Sequence, residues 1–283
     1  MWHEEYHRPK SVEEVTALLG EPGARPIAGG TDLMVQARGG HSGPYTLVDL
    51  NFVPSLAELG AGRDGGLRIG ATVRLARLES DPLCLAYPLL REAAATVGSI
   101  QVRNRATLAG NLCNGSPAAD TAPALLCYEA VAHVVGPAGR REVPLEEFWK
   151  GPGQTVLRPG EWVEAVGLPP PPPHGGCYLK LGRTLGVDLA VTGVAALVSD
   201  AGVRLAAASV APTPRRLRPV EAVLSAAAPG SRPDIGPAMA AAIAPIDDAR
   251  ATAAYRQAMT IVLARRAWEA AQARFAALER SPR

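Results

Sequence analysis

The sequence has few of the residues that build a metal or redox centre by themselves. Its 283 residues include four cysteines and five histidines, and both types are scattered along the chain. No two cysteines show the C-x-x-C spacing of structural zinc sites and self-contained iron–sulfur clusters. The sequence therefore predicts no metal site and no catalytic histidine on this chain. It predicts reduced thiols in a cytoplasmic protein.

Long apolar runs and an excess of one charge are also missing. No apolar run approaches the roughly 18 residues that span a bilayer, and the polar residues 1–6 do not resemble a secretory signal. The 29 Lys and Arg against 27 Asp and Glu give a net charge of +2, which provides no steering towards nucleic acid. A membrane span and a nucleic-acid partner are thus not predicted. The length suffices for two domains with a core each.

The first informative stretch covers residues 26–35, with the sequence PIAGGTDLMV. Residues 26–28 predict a short strand, Gly29 and Gly30 a tight turn, and Leu33 the start of a helix that Thr31 or Asp32 can cap. A strand, a glycine turn and a helix N-terminus together can hold an anion. An ordinary tight turn is the alternative.

The second stretch covers residues 107–120, with the sequence TLAGNLCNGSPAAD, and an apolar run follows it. We interpret it as a loop whose backbone N–H groups need partners, which a phosphate-bearing ligand would supply. Two such loops favour a dinucleotide, because that ligand has a diphosphate and a long polar tail. Residues 60–65 match GxGxxG, but they precede a strand instead of following one, so we predict a hairpin turn there.

Other patterns outline the rest of the fold. A capping box at Ser11 and Glu14 predicts a helix over residues 11–19. The prolines at 169–173 predict a stiff spacer and a domain boundary. Beyond it, an apolar stripe in the alanine-rich tail predicts a helix that packs on its own sheet; its residues are Ile261, Ala264, Trp268, Ala271, Phe275 and Leu278. Further helices are predicted at residues 75–78, 89–97 and 120–128. Strands are predicted at residues 46–50, 66–71, 130–135, 140–143, 162–168, 177–183, 189–199 and 203–211.

The two loops, in this order, closely resemble those of the FAD-binding subunits or domains of molybdenum hydroxylases. This family includes the medium subunits of carbon monoxide dehydrogenase and of bacterial xanthine dehydrogenase. The matching residues are 28–33 and 101–120, and residues 178–190 and 255–266 also fit. The resemblance implies an α+β fold. A PCMH-type FAD-binding domain would span residues 1–172, with subdomains of about 1–55 and 56–172. A C-terminal antiparallel sheet packed with helices would span residues 173–283.

The same resemblance implies which residues contact FAD. The backbone of the first loop is expected to wrap the diphosphate through Ala28, Gly29, Gly30, Thr31 and Asp32. In the second loop, the expected contacts are Thr107, Gly110, Asn111, Asn114, Ser116 and Asp120. Lys180 is expected to reach back to the cofactor, and Leu189 to lie near the isoalloxazine edge, with Val97 and Val163 as further apolar candidates. The first loop offers no His or Cys, so the attachment is expected to be non-covalent.

The resemblance also implies an electron-transfer subunit. Substrate would be oxidised at molybdopterin on a large partner, and electrons would pass through 2Fe–2S clusters on a small partner to FAD on this chain. The acceptor would be NAD, a quinone or dioxygen, and the complex a dimer of heterotrimers. The flavin would carry the chemistry, so no catalytic side chain is predicted. The alternatives are a free-standing FAD-dependent oxidoreductase of this fold and a non-catalytic assembly subunit.

Overall fold

The computed structural model describes residues 3–39, 45–62, 64–184, 186–228 and 230–280. Three main sheets and ten helices occur within this part of the chain. Helices and strands are mixed in the N-terminal part, and an antiparallel sheet with helices follows, which confirms the predicted α+β class. No helix in these ranges has the length and apolarity that a membrane crossing requires.

The first sheet is parallel, and its strand order is β1-β3-β2. Its elements in chain order are β1 (His3–His7), α1 (Val12–Leu19), β2 (Ala24–Ile27), α2 (Leu33–Arg38) and β3 (Tyr45–Asp49). The capping box at the start of α1 is confirmed, since Ser11 Oγ accepts a hydrogen bond from the Glu14 amide at 3.1 Å. The Glu14 carboxylate in turn accepts from the Lys10 amide at 2.7 Å.

The second sheet is antiparallel and has the order β4-β5-β10-β6-β7. Its region contains the strands β4 (Leu59–Ala61), β5 (Leu67–Gly70), β6 (Val131–Gly136), β7 (Gly139–Pro144), β8 (Trp149–Gly151), β9 (Gln154–Thr155) and β10 (Trp162–Leu168). Strands β8 and β9 form a separate small hairpin. The helices of the region are α3 (Leu75–Ser80), α4 (Pro88–Ala95), α5 (Ile100–Arg103), α6 (Leu108–Cys113) and α7 (Thr121–Cys127). The GxGxxG stretch connects β4 to β5, as predicted for a hairpin, although its residue 63 lies outside the described residues.

One prediction in this region was wrong. Residues 107–120 are not a loop throughout, because α6 occupies Leu108–Cys113. Thr107 caps this helix by accepting a hydrogen bond from the Gly110 amide at 3.1 Å, and Leu108 and Leu112 are buried one turn apart. The glycine and short polar residues therefore concealed a short amphipathic helix, and the segment 114–120 is the irregular part.

The C-terminal sheet is antiparallel, as predicted, and consists of β11 (His174–Leu181), β12 (Thr192–Ser199), β13 (Gly202–Ala208) and β14 (Arg215–Arg216). The helices α8 (Arg218–Ser225), α9 (Gly236–Ala242) and α10 (Ala253–Arg280) follow or flank it. Helix α10 packs on β11 and β12 and buries Ala264, Trp268 and Ala271, as predicted for the stripe, but Leu278 near its end is exposed because the helix extends past the sheet core. A Cβ on Gly175 would come within 1.9 Å of the Ala271 carbonyl oxygen, so β11 and α10 meet at their backbones.

The C-terminal sheet contributes to two hydrophobic cores, because successive side chains of a strand point to opposite faces. Ala195 and Leu197 of β12 join the core of the N-terminal region, whereas Val194 and Ala196 join the core under α10. The proline spacer is anchored to the N-terminal core, because Tyr87 Oη donates to the Pro169 carbonyl at 3.1 Å. This packing brings the loop between β11 and β12 to the edge of the N-terminal region.

Candidate cofactor site

A cleft of about 730 Å³ lies where the first sheet, the second sheet and the β11–β12 loop meet. Its volume falls within the range of about 300–1,000 Å³ that is usual for small-molecule sites. Twelve of the thirteen residues predicted to contact a cofactor line it: Ala28, Gly29, Gly30, Thr31, Asp32, Thr107, Gly110, Asn111, Asn114, Ser116, Asp120 and Leu189. Two loops that are about 80 residues apart in the sequence thus share one cleft.

The two glycines of the first loop have different structural roles. Gly30 adopts a φ of +73°, which an L side chain rarely adopts. Gly29 lies against the backbone that leads directly into the second loop, and a Cβ there would come within 2.2 Å of the Arg105 carbonyl oxygen. Gly29 therefore allows the backbone of the first loop to pack directly against the backbone of residues 105 and 106. This contact fixes the position of the first loop relative to the second.

The first loop presents unpaired backbone donors. Within the described part of the chain, the amides of Gly30, Thr31 and Asp32 have no hydrogen-bond acceptor. All three residues line the cleft where β2 ends and α2 begins. Asp32 is the N-terminal boundary residue of α2, but its side chain makes no capping hydrogen bond. Backbone donors in this position suit an anionic ligand, because an unpaired N–H group is otherwise costly once it is covered.

Polar side chains connect the first loop to the second. Asn114 Nδ2 donates to Asp32 Oδ1 at 3.1 Å, and Asn114 Oδ1 accepts from Gln36 Nε2 at 3.2 Å. Earlier in the second loop, Asn111 Oδ1 accepts from Thr121 Oγ1 at 2.7 Å. These bonds fix the amide groups of both asparagines, so the cleft has a defined polar wall before any ligand enters.

Asp120 forms the inner wall and is held by two side chains of β11. It is 6% exposed; its Oδ1 accepts from Tyr178 Oη at 2.8 Å and its Oδ2 from Lys180 Nζ at 2.7 Å. Burial raises the pKa of Asp120, and both partners oppose that shift. Lys180 also donates to the Thr96 carbonyl at 3.1 Å and does not itself line the cleft. A direct contact of Lys180 with a cofactor stays a prediction; its contact in the structure is with Asp120.

The outer wall comes from the loop between β11 and β12, where sequence reasoning had named only Leu189. Val187 and Asp188 also line the cleft, and Val187 and Leu189 are 65% and 58% exposed. Asp188 accepts from the Arg183 amide at 2.8 Å, which closes the loop on itself. The two glycines nearby, Gly182 and Gly186, predict a turn, but they do not indicate which face it presents to a ligand.

Further lining residues had no motif that could have identified them from the sequence. Gln36, Leu157 and Trp162 line the cleft, as does Glu161. The Arg141 guanidinium holds the pKa of Glu161 down at about 2. Val97 and Val163, the predicted apolar candidates, lie in the lining as well. In the described residues, no group of three or more His, Cys, Asp or Glu side chains could hold a metal ion.

Comparison with known proteins adds two matching families. Residues 3–171 match the family described as FAD binding domain in molybdopterin dehydrogenase, and residues 177–271 match the CO dehydrogenase flavoprotein C-terminal domain. The carbon monoxide dehydrogenase medium chain of Afipia carboxidovorans is 36% identical over 284 residues, which cover 95% of this chain and 97% of that relative. The putative xanthine dehydrogenase FAD-binding subunit of Escherichia coli is 34% identical over 225 residues, or 76% and 77% of the two chains.

A solved structure shows the same fold. A chain of the carbon monoxide dehydrogenase from Hydrogenophaga pseudoflava, in a form that lacks the Mo-pyranopterin moiety, superposes with a TM-score of 0.90. It is 34% identical, and the match covers 96% of this chain and 98% of that one. Both family matches and these relatives point to the same family. The chain belongs to the family of FAD-binding medium subunits of molybdenum hydroxylases and is an oxidoreductase subunit.

Proposed function

We propose that the cleft binds FAD non-covalently, with the diphosphate on the amides of Gly30, Thr31 and Asp32. The unpaired donors of these three residues carry this proposal, since a diphosphate satisfies several of them at once. The polar groups of Asn111 and Asn114 extend the site along the second loop. The apolar side chains that line the cleft offer a surface for the isoalloxazine ring: Val97, Val163, Val187 and Leu189.

The carboxylates of the cleft support a binding role over a free-standing catalytic one. Asp188 is held by Arg183, which keeps the pKa of the carboxyl at about 2. Glu161 is held in the same way by Arg141, and Asp120 is buried with both of its oxygens paired to Tyr178 and Lys180. A general base needs an accessible lone pair and a pKa near the working pH. These side chains instead bind and orient, while bound FAD supplies the two-electron redox chemistry.

We propose further that this chain is an electron-transfer subunit. A large partner would hold molybdopterin, and a small partner would hold the 2Fe–2S clusters that deliver electrons to this chain, in a dimer of heterotrimers. An external acceptor, namely NAD, a quinone or dioxygen, would then receive the electrons. The family assignment supports this role, because the relatives are named as chains or subunits of larger enzymes. The divisions at residues 1–172 and 173–283, and a cytoplasmic location, stay predictions.

The proposal is tested by titrating the purified full chain with FAD and with riboflavin. After removal of free FAD by gel filtration, the chain should retain flavin absorbance at about 370 and 450 nm. Riboflavin lacks the diphosphate together with the adenosine, and it should bind at least about 100-fold more weakly. Equal affinity for both ligands would contradict the diphosphate assignment, and no flavin binding at all would favour an assembly subunit. Rapid oxidation of a small substrate by the isolated flavin-loaded chain would instead favour the free-standing oxidoreductase.

A further inference from the structure

Ser209 adopts a backbone conformation that its residue type disfavours. Its φ is +62°, and Glu129 is the other non-glycine residue with a positive φ in the described ranges. A left-handed conformation strains any residue with a Cβ, and it persists where surrounding contacts impose it. Ser209 directly follows β13 and is 7% exposed. The contacts that hold it in this conformation therefore lie within the protein.

Two short hydrogen bonds of Ser209 reach the two walls of the cleft. Its amide donates to the Pro117 carbonyl at 2.7 Å, and its hydroxyl donates to the Ala190 carbonyl at 2.9 Å. Pro117 lies between Ser116 and Ala118, which line the cleft on the side of the second loop. Ala190 directly follows Leu189, which lines the cleft from the loop between β11 and β12. Ser209 itself does not line the cleft. It connects the two lining segments through hydrogen bonds within the protein.

Two arginines also hold the wall that contains Leu189: the part-buried Arg250 donates to the Ala190 carbonyl at 3.5 Å, and the buried Arg256 contacts the next residue. Arg256 of α10 is 1% exposed and donates to the Val191 carbonyl at 2.6 Å. Its other terminal nitrogen donates to Asp248 at 2.8 Å. The contact with Val191 holds the C-terminal end of the loop to α10, and the contact with Asp248 holds Arg256 to the segment before α10. The bonds of Ser209 instead connect the loop to residue 117 of the second loop.

We propose that Ser209 is a positioning residue that sets the spacing between the Leu189 wall and the 116–120 wall. The proposal rests on the proposed function, in which FAD occupies the space between these walls. Glycine would adopt the same φ without strain but would lack the hydroxyl that reaches Ala190. The strained serine keeps both bonds at once, and the spacing it sets allows the cofactor to contact both walls.

The test is FAD titration and thermal unfolding of the full-length Ser209→Gly variant. Loss of the hydroxyl should weaken FAD binding about fivefold to tenfold, the usual effect of one lost hydrogen bond. Relief of the strained φ should leave the melting temperature of the FAD-free chain unchanged or raise it. Ser209→Ala keeps the strain and lacks the hydroxyl, so it should weaken FAD binding equally without that gain in stability. A residue with a merely structural role would change affinity and stability in the same direction.

Ser225→Ala is the matched control. Ser225 Oγ accepts from the Val203 amide at 3.0 Å, at the end of β13 that is remote from Ser209. This variant should bind FAD as the wild type does. Wild-type affinity in both Ser209 variants would overturn the proposal, and so would a parallel loss of affinity and stability in Ser209→Gly. Failure of the wild-type chain to bind FAD is a different result, because it contradicts the proposed function on which the positioning role rests.

Discussion

Gly29→Ala is expected to lower the affinity for FAD at least about 100-fold, the largest effect of any single methyl group in the cleft. The added Cβ would meet the Arg105 carbonyl oxygen at 2.2 Å, the Arg105 carbonyl carbon at 2.8 Å and the Ala106 Cα at 2.9 Å. All three are backbone atoms, so no side-chain rotation can relieve the overlap. The first loop must move away from the second, and overpacking of this kind costs about 1–3 kcal/mol of stability. Equilibrium titration with FAD and urea unfolding measure the two effects.

Two other glycines provide graded controls for this prediction. Gly60 in β4 has no atom within 4 Å of an added Cβ and no positive φ, so Gly60→Ala should bind FAD normally. Gly30→Ala should have an intermediate effect, because its φ of +73° is strained for alanine while its Cβ would meet the flexible side chains of Ile27 and Met34 at 3.3 Å. If Gly29→Ala bound FAD as well as Gly60→Ala does, the seating of one loop on the other would not matter to the site.

Lys180→Met is expected to destabilise the protein by about 3–5 kcal/mol, the usual cost of removing one partner of a buried ion pair. The side chains of Lys180 and Asp120 are 13% and 7% exposed, so solvent screens their interaction weakly. The variant would leave the Asp120 carboxylate with Tyr178 as its side-chain partner and raise the pKa of that carboxyl further. FAD binding should weaken by about 1–3 kcal/mol, because an inner wall of the cleft loses its fixed charge and position.

A double variant separates the ion pair from general packing. Lys180→Met combined with Asp120→Asn removes the unpaired charge, so it should be more stable than Lys180→Met alone. Lys150→Met, at an exposed position of β8, controls for the loss of a lysine. It should change neither the free energy of unfolding nor the affinity for FAD. Additive effects of the two substitutions in urea unfolding would show that Lys180 and Asp120 do not act as a pair.

The sequence predicted those elements whose signals are local. The capping box located α1, short runs between turn residues located β6, β7 and the strands β11 to β13, and the apolar stripe located α10. The two glycine loops were recognised by composition, and the structure places them in one cleft. Loop residues can be recognised in a sequence where function requires glycine or short polar side chains at fixed positions.

What the sequence did not indicate depends on pairing over long distances. Strand β1 has no apolar alternation and exists because it pairs with β3, some forty residues later. Strand β14 consists of two residues that pair with β13. The position of Lys180 behind Asp120, and the placing of Val187 beside Leu189, follow from how the C-terminal sheet docks on the N-terminal core. Such contacts are set by tertiary packing, which local propensity does not encode.

Amide hydrogen exchange with and without FAD will show whether both loops close over the same flavin nucleotide. The unpaired amides of Gly30, Thr31 and Asp32 should exchange fast in the free chain and slowly when FAD is bound. Residues 107–120 should gain protection over the same range of FAD concentration, while the β6–β7 hairpin should stay unchanged. Protection of both loops together is the predicted result. Protection of one loop alone, or of neither at saturating FAD, would show that the two loops do not close over the same flavin nucleotide.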